Sequence, residues 1–337
     1  MNPPPIPKRK QTTGLWITIC ILGVLLLFSV LIHLAGSVGS SFQASRFTQA
    51  GGHDEFPVLE EEWSYGKGRT KAVRIPLQGM IFRQEDTGFL GPRIDKVFDL
   101  LSQIRMATHD DSVRAIVLEV DSPGGAITPS DEIYRELRRF KESREDRIVI
   151  AFTRDMMASG GYYAAMSADW IIAEPTAVIG SIGVIMQAIN FQRLTSDIGI
   201  KDVTIKSGGN KDLLNPFREV KEEQVALLQG VIDSMYTRFI NIVQASRSIP
   251  EDELSELADG RIFTADQAIQ VALIDEVGYW DDVVRQTAEM LELEDVKFVR
   301  YHRKTDFFTM LTQGRIGFNP SSILEWQMPH IMYLWKP

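Results

Sequence analysis

Ser159 is the residue whose setting most favours chemistry. It stands in Met156-Met157-Ala158-Ser159-Gly160-Gly161-Tyr162-Tyr163. An apolar run, Ile148–Phe152, reads as a buried strand before it, and Tyr162–Met166 is helix-compatible after it. A serine at a strand-to-helix turn, flanked by small residues, is lifted out of the sheet toward a cleft. Its hydroxyl then lies near the positive end of a helix dipole, which favours a developing anion. The same residues also describe an ordinary helix N-cap followed by a flexible Gly-Gly. The serine gains weight only from its companions.

The first companion is Ser122-Pro123-Gly124-Gly125, which follows the strand candidate Val113–Val120. In a parallel sheet both turns fall at the same strand ends, where ligands bind. Gly124 and Gly125 let backbone N–H groups approach a ligand closely, as an oxyanion hole requires. The plain alternative is a tight loop that reverses the chain. The second companion must be a base. The histidines are His33, His53, His109, His302 and His330. Only His109 falls inside the apparent core, in a polar turn at the opposite strand end. Lysine is the alternative, since serine–lysine pairs are an attested variant of the triad. A lysine accepts a proton only when neutral. That requires its pKa to fall from about 10.4 to about 7–8, a differential cost of roughly 4 kcal/mol. Lys206 and Lys211 share one Gly-rich loop. Lys206 directly follows a short strand candidate, Val203–Ile205. Lys211 lies past Gly208-Gly209 and before Leu213 and Leu214, where a loop can fold back over the cleft.

These residues need a scaffold, and the chain supplies the elements of an α/β fold. Strand candidates at 72–77, 113–120, 148–152, 170–173 and 296–301 alternate with amphipathic helices. One helix opens at Gly91-Pro92, and a second carries Ile133, Leu137 and Phe140 on one face. A long one spans about 221–247, with Val225, Leu228, Ile232, Met235, Phe239 and Ile242 forming a single buried stripe. Thr264-Ala265-Asp266-Gln267 is a capping-box signature.

Composition narrows the function. The chain has 337 residues, 44% hydrophobic and 24% charged, with a formal charge of -9. Residues 1–14 form a Pro-rich basic tail with Lys8, Arg9 and Lys10 and no acid. The rest carries 33 basic and 45 acidic residues, a balance that excludes nucleic-acid binding. Cys20 is the single cysteine, so there is no intrachain disulfide, no cysteine metal cluster and no thiol nucleophile. No metal or organic cofactor is implied. Residues 15–34 run for 20 positions without a charge, long enough for a transmembrane anchor that contacts lipid. The preceding basic cluster predicts a cytoplasmic N-terminus with the body outside the cell (inner) membrane. A cleaved signal peptide is the rival, with Ala35 and Ser37 as a small-x-small site. Residues 35–68 read as a linker, 69–301 as the folded domain and 302–337 as an apolar tail.

The ordered set Asp-Ser-Pro-Gly-Gly, Ala-Ser-Gly-Gly-Tyr-Tyr, Ile-Gly-Ser-Ile-Gly-Val and Lys-Asp-Leu-Leu-Asn-Pro-Phe resembles the signal peptide peptidase A family over roughly residues 70–300. Asp259–Thr264 and Leu273–Gly278 match its pattern too. The resemblance implies a layered sheet-and-helix domain of the Clp-protease/crotonase type and a membrane-anchored serine–lysine endopeptidase. It implies Ser159 as nucleophile, Lys211 as general base, Ser181 holding the lysine, and Gly124 with Gly125 as the oxyanion loop. It further implies a homo-oligomeric ring or dome that degrades remnant signal peptides. The rivals are a crotonase-type acyl-CoA enzyme and a catalytically silent membrane scaffold of the same fold. An outward anchor and a Ser/Lys pair count against both. The tail beyond Thr305 has no counterpart in the pattern. Phe307, Phe308, Trp326, Met328, Met332, Tyr333 and Trp335 are too many large apolar groups to leave in water. They are expected to pack on a neighbouring subunit, ahead of lying on the bilayer or filling a cleft as a pseudo-substrate.

Overall fold

The computed structural model describes Leu26, residues 57–83 and 95–302, and the backbone of 331–334. The chain divides into two units, residues 1–53 and 54–337, and everything below except Leu26 belongs to the second. The predicted anchor at 15–34 lies outside the described residues but for helical Leu26. No helix among the described residues is long and apolar enough to cross a membrane.

In chain order, β1 (Glu60–Tyr65), β2 (Lys71–Gln78) and α1 (Lys96–His109) come first. They are followed by β3 (Val113–Ser122), β4 (Gly124–Ala126), α2 (Ile127–Glu142), β5 (Ile148–Ala158) and α3 (Gly160–Ala165). Next are β6 (Trp170–Ala173), β7 (Val178–Gly180), β8 (Ile185–Met186), α4 (Gln192–Asp197), α5 (Glu222–Ser246) and α6 (Glu251–Leu257). The remainder is β9 (Ile262–Thr264), α7 (Ala265–Gln270), β10 (Glu276–Val277), α8 (Trp280–Met290), β11 (Lys297–His302) and β12 (Ile331–Leu334).

A nine-stranded sheet runs β1-β11-β2-β3-β5-β6-β10, with β7 pairing β5 and β9 pairing β7. Its inner strands are parallel; β1 on β11 and β9 on β7 are antiparallel. Alternation along β3 sends Ile116 and Leu118 into one core, with Ile104, Leu137, Phe140 and Tyr163. Ala115 and Val117 face the other core, with Phe152, Val283 and Phe298. Both sheet faces are therefore covered, which is why β3 and β5 read as continuous apolar runs. The cue at Thr264 holds, whereas the helix expected to open at Gly91-Pro92, which lie outside the described residues, begins at Lys96. Asp95 accepts the N–H groups of Val97 and Phe98 at the head of α1, and the capping box at Thr264 and Gln267 opens α7.

Several expectations change. Residues 60–65, inside the expected linker, form edge strand β1, because Glu61 pairs with Lys71 and Lys297 of neighbouring strands. Val203–Ile205 is not a strand. Val203 is 85% and Ile205 97% exposed, and neither belongs to a sheet among the described residues. Of the six residues expected to form the buried stripe on α5, only Phe239 is buried, with Val243 outside the stripe buried beside it, and Val225 is 50% exposed.

One polar cluster sits inside the sheet. Glu119 accepts from Arg74, with Arg154 at 3.4 Å and Arg300 at 3.6 Å, and the Arg74 guanidinium lies 3.7 Å from the centre of the Trp280 ring. Burial alone would raise the Glu119 pKa, but the Arg74 hydrogen bond and the three arginine charges hold it below the ordinary glutamate value of 4.5. Its stabilising effect is therefore fully present above that value and lost as pH falls below it and through the lowered folded-state value. Glu119→Gln is expected to cost about 2–4 kcal/mol at pH 7, since it leaves buried Arg74 without its counter-charge. Urea unfolding at pH 7 and pH 4 should show the gap between variant and parent narrowing in acid.

Candidate active site

Strand β5 changes neighbours along its length. Ile150–Thr153 pair with β6, whereas Met156–Ala158 pair with β7. The register Ala158↔Gly180 then sets Ser159 and Ser181 side by side, one residue past the paired ends. Both have φ of 51°, a region that L residues occupy at a cost of about 1–3 kcal/mol. Ser159 is held there by two backbone bonds. Its N–H donates to the Gly180 carbonyl at 2.7 Å, and its carbonyl accepts the Tyr163 N–H at 2.8 Å. The Ser181 N–H donates to the Arg261 carbonyl at 2.8 Å.

Ser159 is only 1% exposed, and its Oγ has no hydrogen-bond partner among the described residues. A buried hydroxyl left unsatisfied costs stability, and such exceptions mark groups held ready for another partner. Helix α3 is anchored through the two tyrosines that follow the glycines. Tyr162 Oη donates to the Leu273 carbonyl at 2.7 Å, and Tyr163 Oη donates to Asp131, which also accepts from Arg238 of α5.

The glycine loop lies against this turn. A Cβ on Gly160 would stand 2.5 Å from Ser130 Oγ, 3.2 Å from the Gly125 nitrogen and 3.3 Å from Gly124 Cα. Gly124 has φ of 98°. Its N–H is already taken by Ser122 Oγ at 3.1 Å, and its carbonyl accepts from Ile81 N–H at 2.9 Å. Ala126 N–H is spent on the Ile81 carbonyl at 2.8 Å. By strand alternation the amide edge of Gly125 faces the other way, toward β12. The two glycines that look equivalent in sequence thus differ: Gly124 makes the bend and Gly125 presents the outward N–H.

Lys211 is exposed, and no hydrogen bond joins it to Ser159 or Ser181. Lys206 is tied to Asp212 and to the Gly209 carbonyl, and the Lys206 hydrogen bond holds the Asp212 carboxyl below the usual range. Lys206 is thus engaged within its own loop, whereas Lys211 has no such partner among the described residues. Among the described residues, the hydrogen bonds of 190–218 stay within that segment, built on Asp202, Asn215 and Arg218. Its apolar side chains Leu194, Ile198, Val203, Ile205 and Phe217 are exposed. It is an arm that folds on itself.

Most of the apolar tail lies outside the described residues, but Ile331–Leu334 form β12 between β4 and β8. Tyr333 is opposite Gly125 and Leu334 opposite Gly124, and the strand also lies beside α2 and α3. Residues 332–334 of the tail therefore lie along the glycine loop of their own chain, and the other large apolar residues of the tail lie outside the described residues. Ser122 and Ser130 escaped the sequence reading. Only the Ser-Pro-Gly-Gly order, a hydroxyl two residues before a glycine amide, hinted at the first.

A serine at a strained strand-to-helix turn, beside an outward glycine amide at the ends of parallel strands, defines a serine hydrolase of mixed α/β architecture. The comparisons agree. The model of peptidase family S49 matches residues 141–294. A protein of Enterococcus faecium, provisionally named signal peptide peptidase SppA, is 31% identical over 316 residues, 93% of this chain and 89% of that one. The chloroplastic serine protease SPPA of Arabidopsis thaliana is 36% identical over 180 residues, 53% of this chain and 26% of that protein. Protease 4 of Salmonella typhi is 30% identical over 216 residues, 64% of this chain and 34% of that protein. The chain belongs to the signal peptide peptidase A family, peptidase family S49, and is a serine peptidase.

Gly160 tests the close packing of the two loops. Gly160→Ala forces a methyl against Ser130 Oγ and the Gly125 amide. Turnover should fall about 100-fold, the scale of losing one oxyanion donor, with the thermal unfolding midpoint shifted by only a few degrees.

Proposed function

We propose that this peptidase is a membrane-anchored endopeptidase of the Clp-protease/crotonase architecture that cleaves extended peptides, remnant signal peptides among them, as an assembly of identical chains. Residues 15–34 anchor it, with the N-terminus cytoplasmic and the domain at 69–301 on the outer side. The observation that carries this reading is the course of β12. An extended segment adds as a strand between β4 and β8, beside the helix that follows Ser159. A cleft that accepts one extended backbone by strand addition suits another, and gives little purchase to a folded protein.

Ser159 Oγ attacks the peptide carbonyl carbon, and its proton passes to the Lys211 amine. The oxyanion is met by the N–H of Gly125 and by that of Gly160, the residue after the nucleophile. Collapse expels the leaving amine, which takes the proton from Lys211. Water then hydrolyses the acyl-enzyme by the same path in reverse. Ser181, beside Ser159, is the hydroxyl against which the lysine is steadied. Lys211 is exposed on an apolar arm, whereas Ser159 is buried and without a partner. We therefore assign the base to a neighbouring copy, whose arm brings it to the serine on assembly.

Variants of the chain test the reading. Ser159→Ala and Lys211→Ala should each lose more than about 1,000-fold in turnover of a fluorogenic peptide, and Lys206→Ala should retain most of it. Co-assembly of the two dead variants should restore part of the activity if the base comes from a neighbour, and none if it does not. Truncation at Thr305 should raise turnover by removing β12 as a competitor. A truncation that lowers activity and dissociates the assembly would assign the tail to packing instead.

A further inference from the structure

Ser122 is wholly buried at the end of β3, and its hydroxyl is used twice. It donates to the Gly79 carbonyl at 2.7 Å and accepts the Gly124 N–H at 3.1 Å. Its backbone also closes on the nucleophile's helix: a Cβ on Gly161 would stand 3.1 Å from the Ser122 carbonyl oxygen and 3.2 Å from Ser122 Cβ. One small side chain thus meets the end of β2, the glycine loop and the first turn of α3.

The consequence runs through two peptide planes. The Ser122 hydroxyl fixes the N–H of the plane between Pro123 and Gly124. Gly124, with φ of 98°, then turns the chain. The next plane is fixed at its other end, because the Gly124 carbonyl accepts from Ile81 N–H at 2.9 Å. In a trans peptide the N–H points opposite to the carbonyl. The Gly125 N–H is therefore directed away from Ile81 and toward the cleft. Gly124 has the softest backbone of any residue type. Without a hold on its amide the first plane can rotate and carry the second with it.

We propose that Ser122 is a positioning residue for the reaction: its hydroxyl locks the Gly124 amide so that, of the two loop glycines, Gly125 presents its N–H to the oxyanion beside that of Gly160. The proposal rests on the assignment of Gly125 as an oxyanion donor. It predicts a loss felt in the transition state and not in substrate binding, because the donor is misdirected while the cleft keeps its shape.

The test is steady-state kinetics of the full-length oligomer in detergent. Active sites are counted by labelling Ser159 to completion with a fluorophosphonate, so that misfolded material is not scored. For Ser122→Ala, kcat per labelled site should fall about 10- to 100-fold with KM within twofold. The inhibition constant of a peptide aldehyde, whose adduct bears the oxyanion, should rise by the same factor. Ser122→Thr, which keeps the hydroxyl, should restore most of the rate. If Ser122→Ala does not fold, Ser122→Cys carries the test, its weak sulfur partner giving a smaller loss in the same sense. Unchanged kcat per labelled site in Ala or Cys, or a loss confined to KM, overturns the proposal. A parent enzyme that neither labels at Ser159 nor cleaves peptide would overturn the assignment of the site instead.

Discussion

The bond from the Ser159 N–H to the Gly180 carbonyl, at 2.7 Å, is the constraint on which the site depends. It continues the parallel register of β5 and β7 one residue beyond the last strand pair, into a residue whose φ of 51° would otherwise relax. The bond forms only because β5 exchanges β6 for β7 part-way along. That exchange also sets Ser181 beside Ser159. Gly180, with φ of 104°, accommodates the turn, and a Cβ there would stand 2.8 Å from the Phe263 ring. The nucleophile is thus held by main chain on both sides, while its hydroxyl stays unspent.

What the sequence disclosed follows from how each element is stabilised. Strands buried on both faces betray themselves as apolar runs, so β3 and β5 and the two turns that follow them were legible. Helices that cap themselves with a side chain were legible too, as at Thr264. Short strands whose identity comes from a partner were not: β4, β7 and β12 have three or four residues each, with pairing and little pattern to mark them. Val203–Ile205 shows the converse. Its β-branched residues carry strand propensity, yet propensity reports fit to a pleated, half-buried surface, and this segment has none. Gly124 and Gly125 looked alike because spacing cannot say which amide a neighbouring hydroxyl has taken. Lys206 and Lys211 could be ranked by position in the loop, but the ion pair with Asp212 that distinguishes them is a property of the folded arm.

The exposed arm and the tail strand bear on one question, how a peptidase with an open strand-binding cleft avoids indiscriminate cleavage. A serine already linked to its base would be active in every isolated chain. Here the Ser159 hydroxyl has no hydrogen-bond partner among the described residues, the arm that carries Lys211 bonds within itself, and its exposed apolar side chains gain free energy when something covers them. Apolar burial is non-directional and needs a large surface, whereas proton transfer needs one lysine placed to within a few tenths of an ångström. In the proposed mechanism, joining the two on a single arm would make the second conditional on the first, with the hydrophobic gain of assembly supplying the free energy to place the amine. The pairing of β12 with Gly124 and Gly125 adds a second condition. A peptide must offer the cleft a better strand than the one the chain itself provides, and that comparison favours long, extended, apolar segments over the short polar loops of folded proteins.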